Sequence, residues 1–147
     1  MYRRFIHPQA IAHIQGEKSD TNLWGNVQFF QQNNAVLVRA VIHGLPLSES
    51  GFYGFHIHEG TRCTGENFAD TGSHYNPTSL PHPLHSGDLP PLMRCQNGAY
   101  LEVLTDRFRV AEVIGRTVVI HRGTDDFTSQ PAGNAGSKIA CGVIQRR

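Results

Sequence analysis

Gly54-Phe55-His56-Ile57-His58-Glu59 is the stretch from which the rest of the chain is read. Along an extended strand, side chains point alternately to opposite faces. His56 and His58 therefore share one face, while Phe55 and Ile57 share the other. The apolar pair then faces a core, and the imidazole pair offers two neutral nitrogen donors to a transition metal. Taken alone, such a pair also suits a half-buried strand with no ligand. Further potential donors change the balance: His74, His82, His85, Asp88 and His121 all follow before residue 122.

Upstream of this stretch the chain alternates in three segments. In Ala10–Gln15, Ala10, Ala12 and Ile14 fall on one face, with His13 on the polar one. Gly16–Asn22 is a turn-rich break. Leu23–Phe30 turns Leu23, Val27 and Phe29 inward, and Asn33-Asn34 makes a turn. Ala35–His43 turns Val36, Val38, Ala40 and Ile42 inward, leaving His43 on the outer face. Downstream, Gly60–Pro91 carries Gly, Pro, Ser, Thr and Asn with hardly any apolar run. A loop this long in a compact domain has a function or is disordered, and its Cys63, three histidines and Asp88 favour one ordered by a metal and a disulfide. Leu92–Cys95 and Ala99–Leu104 read as strands paired about an Asn97-Gly98 hairpin signal. Thr117–His121 and Ile139–Ile144 are further strands, separated by a polar, Gly-rich loop over 122–137.

These segments predict an all-β domain, an eight-stranded antiparallel Greek-key barrel or immunoglobulin-like sandwich with two long functional loops. The domain spans 10–147, behind an N-terminal tail at 1–9. A length of 147 residues suffices for one ordinary core, and the 15 glycines suit a turn-rich β-protein. A net charge of +1 gives no electrostatic reason to invoke nucleic acid or a membrane surface. No signal peptide or membrane span is visible, which favours the cytoplasm. A disulfide would suit an oxidising compartment, so an extracytoplasmic location stays open.

The spacing of donors sharpens the metal reading. His82, His85 and Asp88 follow His74 at +8, +11 and +14. Three imidazoles and one carboxylate satisfy zinc's tetrahedral preference, and four protein ligands make a closed, structural site. His56, His58 and His121 lie on two strands that a barrel brings together, and imidazole donors with an open position suit a redox-active copper. His74 can serve both ions through its two ring nitrogens.

Six motifs together resemble the copper/zinc superoxide dismutases: residues 54–59, His74-Tyr75-Asn76-Pro77, His85-Ser86-Gly87-Asp88-Leu89, Ile114–His121, Gly133-Asn134-Ala135-Gly136-Ser137-Lys138, and Ile139–Ile144. The resemblance implies dismutation of superoxide to dioxygen and hydrogen peroxide. It implies His56, His58, His74 and His121 as copper ligands, with His74, His82, His85 and Asp88 as zinc ligands. It further implies Asp125 as the link between a copper and a zinc histidine, and a Cys63–Cys141 disulfide. Cys95, on an expected strand, is read as a buried free thiol. His74 and Lys138 are the expected catalytic groups, His74 as bridge and proton carrier.

Three departures from the family pattern stand out. Lys138 occupies the position of an active-site arginine; it keeps the charge and loses the fixed fork, implying a working enzyme of reduced turnover. His82-Pro83-Leu84-His85 leaves only two residues between ligands where the family has several more. Residues 63–74 are longer than in the common animal enzymes, and the second loop is short. Superoxide is the implied substrate, a copper chaperone is compatible as partner, and either a homodimer or a monomer fits. The rival reading is a non-catalytic copper-binding or delivery module on the same fold.

Overall fold

A computed structural model describes residues 7–147, so most of the expected tail lies outside the described residues. The residues just before the first strand pack onto the barrel: Pro8 is buried, and the Gln9 N–H donates to Phe29 O at 2.9 Å.

The strands are β1 (Ala10–Gly16), β2 (Trp24–Gln32), β3 (Ala35–His43), β4 (Phe52–Tyr53), β5 (Phe55–His58), β6 (Leu92–Met93), β7 (Ala99–Thr105), β8 (Thr117–His121) and β9 (Lys138–Arg146). A 3-10 helix, Glu66–Thr71, sits in the first long loop, and one helical turn, α1 (Val110–Val113), precedes β8. Neither is long enough to show a helical period in the sequence.

Seven strands form one antiparallel sheet in the order β5-β8-β9-β1-β2-β3-β7, and β4 pairs with β6. β6 runs into β7 through a hairpin closed by the Cys95–Gly98 bridge, and β4 runs through Gly54 into β5. The sequence of neighbours thus returns to its starting strand, and counting β4 and β5 as one bent strand gives the expected eight. Gly54 is required at the bend, because a Cβ there would lie 2.7 Å from Ala135 Cβ and 3.2 Å from His121 Cβ.

The alternation read from the sequence sets the core. Ala10, Ala12, Ile14, Val27, Phe29, Val36, Val38, Ala40 and Ile42 are all buried, and Phe29 meets Phe108 edge-on at 6.3 Å. Each large apolar side chain so enclosed contributes about 1.5–3 kcal/mol. On the outer face His13 bonds Asn26 Oδ1 (2.8 Å) and His43 stacks on Trp24 at 4.3 Å. β5 and β8 differ from the others, being buried on both faces.

Cys95 is exposed, not buried as expected. The hairpin begins one residue earlier than the Asn97-Gly98 signal implies. Gln96 and Asn97 form its two-residue loop, which puts Cys95 at the turn, outside the paired strand. Among the described residues no helix is long and apolar enough to cross a membrane.

Cys63 and Cys141 form a disulfide that ties the first long loop to β9 across 78 residues. Closing so long a segment restricts the unfolded chain by about 4–5 kcal/mol in the chain-entropy account. Replacing both cysteines by alanine should therefore lower unfolding free energy by a similar amount in urea titrations. An unchanged midpoint would contradict this.

Candidate metal centre

Backbone pairing delivers the histidines. β5 and β8 are antiparallel, with His56 opposite Val119 and His58 opposite Thr117. The other edge of β5 is covered by the first long loop, and its backbone groups are satisfied there. Tyr75 N–H donates to Ile57 O and Ile57 N–H to Gly87 O, each at 2.8 Å. Single bridges set His74 opposite His58 and Asp88 opposite His56. Thr117, Val119 and His121 alternate onto the face shared by His56 and His58, which points His121 into the same space, and His121 N–H donates to Gly54 O.

Two four-donor groups result, each with its ligating atoms within 4.8 Å of one another: His56, His58, His74 and His121, and His74, His82, His85 and Asp88; His56, His82 and Asp125 form a third group of three. Every member is buried. The four expected copper residues and the four expected zinc residues are thus brought together, including His82 and His85 across their short step.

Hydrogen bonds fix which nitrogen each ring has free. His58 Nδ1–H donates to Gly72 O (2.8 Å) and His121 Nδ1–H to Gly136 O (3.0 Å). Their Nε2 atoms, left as lone-pair donors, sit 3.1 Å apart. Asp125 takes His56 Nε2 on one oxygen and His82 Nε2 on the other, both at 2.7 Å. His74 Nδ1 lies 2.8 Å from Asp88 Oδ1 and 3.3 Å from His85 Nδ1.

What remains is informative. His56 Nδ1, His74 Nε2 and His82 Nδ1 are buried with no hydrogen-bond partner. His82 Nδ1 does come within 2.9 Å of Asp88 Oδ2, but off the hydrogen-bond direction, as two atoms aimed at one point would. An unpartnered buried polar atom costs about 1–3 kcal/mol, so three in one cluster fit the binding of cations between them. Gly133 makes room for the Asp125–His82 contact, since a Cβ there would lie 2.6 Å from His82 Nε2.

The electrostatics agree. Burial, reinforced by the neighbouring imidazoles, lowers the pKa of His56, takes His58 well below its ordinary value and brings His121 to about 3. Burial likewise lowers His85. Burial alone would raise Asp88 and Asp125, but bonds and charge from the surrounding histidines outweigh it and both are lowered. Near neutral pH these four rings are neutral and both carboxylates ionised, which is the protonation state metal ligands require.

An open cleft of about 500 Å³ leads to His58, His74 and His121. Lys138 lines it, half-buried, with Nζ donating to Thr71 Oγ1 (2.8 Å) and Gly72 O (3.0 Å). The same Gly72 carbonyl accepts from His58, so the cation and one ring share an anchor. Thr71 and Gly72 were not singled out in the sequence, because nothing in a polar loop marks which residues turn inward.

A pair of four-donor groups sharing one histidine, held at the rim of a β-barrel, defines a dinuclear metal protein. A family model described as copper/zinc superoxide dismutase (SODC) matches residues 23–144. Superoxide dismutase [Cu-Zn] 2 of Aquifex aeolicus is 32% identical over 149 residues, covering 91% of this chain and 86% of that protein. The extracellular superoxide dismutase [Cu-Zn] of Drosophila melanogaster is 36% identical over 156 residues, covering 92% and 84%. The one from Caenorhabditis elegans is 36% identical over 150 residues, covering 91% and 66%. The chain belongs to the copper/zinc superoxide dismutase family.

The lowered pKa values predict how the metal-free protein responds to acid. His56, His58, His85 and His121 bind protons less readily folded than unfolded, so stability falls as pH drops below 6.5, continuing to about 3 for His121. Asp88 and Asp125 act in the same direction, their contribution being lost as pH falls from 3.8 through their lowered folded values. Urea midpoints of metal-free protein should decline steadily from pH 7 to 4. A flat profile would contradict this.

Proposed function

We propose that this chain is a copper- and zinc-dependent superoxide dismutase, with His56, His58, His74 and His121 holding copper and His74, His82, His85 and Asp88 holding zinc. The observation that carries this reading is His74. Its Nδ1 faces Asp88 and His85, its Nε2 is buried without a partner, and the ring belongs to both donor groups. This supports one imidazole joining two ions.

Copper supplies the alternating uptake and release of one electron that turns two superoxide ions and two protons into dioxygen and hydrogen peroxide. Zinc has no redox chemistry, and four protein ligands close its site. The chain does the rest. Asp125 holds His56 and His82 by their Nε2 atoms, so each presents Nδ1. Gly72 and Gly136 hold His58 and His121 so that each presents Nε2. His74 Nε2 is the proton carrier: its ring belongs to both groups, and the atom has no hydrogen-bond partner. The complete copper set and a cation in the cleft favour catalysis over a delivery role.

Lys138 draws the anionic substrate in. An ammonium has three N–H donors, and two are committed to Thr71 and Gly72. One is left for superoxide, where an arginine offers a fork. This supports a lower turnover than an arginine would allow.

Superoxide decay measured with copper- and zinc-loaded protein should be fast, and His121→Ala should remove copper binding and activity together. A protein that takes up both ions yet leaves superoxide untouched would refute the proposal. Lys138→Arg should raise kcat/KM about 2- to 10-fold, the worth of one added hydrogen bond. No gain would contradict the role given to Lys138.

A further inference from the structure

The step from His82 to His85 is held from outside itself. Pro83 has no N–H to give, and within the segment's own turns there are few bonds: Leu84 N–H donates to Pro81 O (2.8 Å), His85 N–H to Asp88 Oδ2 (3.0 Å) and Asp88 N–H to His85 O (3.1 Å). The other backbone groups of His82 and Pro83 are taken by two side chains from elsewhere. Gln130, in the second loop, pairs with the backbone of His82 on both sides: its Oε1 accepts the His82 N–H (2.9 Å) and its Nε2 donates to His82 O (2.8 Å). Gln130 Nε2 also reaches Thr128 O at 3.1 Å, which fixes the amide within its own loop. Arg107, between β7 and α1, donates through Nη1 to Pro83 O (2.6 Å) and His85 O (3.3 Å).

We infer that Gln130 and Arg107 are positioning residues for the His74/His82/His85/Asp88 cation site, clamping a segment too short to hold its own two histidines. This rests on the metal reading above. A two-bond amide pairing fixes both position and rotation of the His82 peptide, and hence the line along which Nδ1 points. Asp125 fixes the other end of the same ring. With the backbone clamp gone, the ring keeps only that one tether. Partners that orient metal ligands in this way typically change affinity about 10- to 100-fold. Because Gln130 and Arg107 are themselves exposed, the lower end applies. His56, His58 and His121 receive no bond from either residue, so the other donor group should be spared.

The test uses cobalt(II) as a coloured stand-in for zinc, titrated into metal-free full-length protein and followed by visible absorption, with His82→Ala marking the band that belongs to this site. Gln130→Ala should weaken cobalt binding about tenfold, Arg107→Met should weaken it severalfold, and the double variant more than either. Glu112→Ala is the control for general loosening. Glu112 caps the turn that follows Arg107 by accepting the Arg109 N–H, without touching His82 or Gln130, and this variant should bind cobalt within about twofold of wild type. Unchanged cobalt affinity in Gln130→Ala would overturn the inference, as would equal weakening in Glu112→Ala. A wild-type chain with no His82-dependent cobalt band would instead overturn the metal reading, and this inference with it.

Discussion

A neutral imidazole has one N–H and one lone pair, and the centre depends on how those two ends are assigned in its buried rings. Asp125 takes one nitrogen of His56 and one of His82, and main-chain carbonyls take one of His58 and one of His121. Each of these rings is left with a single nitrogen to present. His74 is the exception, being a member of both four-donor groups. Were any of these three outer partners removed, a ring could rotate or change tautomer, and the convergence on His74 would loosen.

The barrel makes this assignment possible. β5 pairs with β8 on one side only, and its other edge would be an open row of backbone groups. The first long loop covers that edge, and the bonds that cover it also bring His74 and Asp88 beside His58 and His56. The disulfide anchors the loop to β9, and Lys138 on β9 bonds back to the end of the 3-10 helix. Edge protection and ligand delivery are therefore achieved by the same contacts. Burying so many polar groups is costly unless each is partnered, which is why the orphaned nitrogens carry weight.

The strands were legible wherever one face meets water. In β1, β2 and β3 the apolar residues alternate with polar ones, and the inward set read from the sequence is buried. β5 and β8 could not be read so fully, because the face carrying His56 and His58 is covered by a loop and not by solvent. The donor set was legible as residue types at telling spacings. Its wiring was not, since the carbonyls of Gly72 and Gly136 belong to loops without periodicity. Cys95 shows the same limit at small scale: a one-residue shift of a hairpin moves a side chain from strand to turn. Gln130 gave no signal at all, because a two-bond pairing with a backbone depends on loops 48 residues apart meeting.

The central claim is that two different ions share the His74 ring. Anomalous X-ray scattering from crystals of the copper- and zinc-loaded protein, collected at each metal's absorption edge, tests it most directly. The account predicts one copper peak beside His74 Nε2 and one zinc peak beside His74 Nδ1. A single peak, or two peaks of which either leaves His74 untouched, would contradict it.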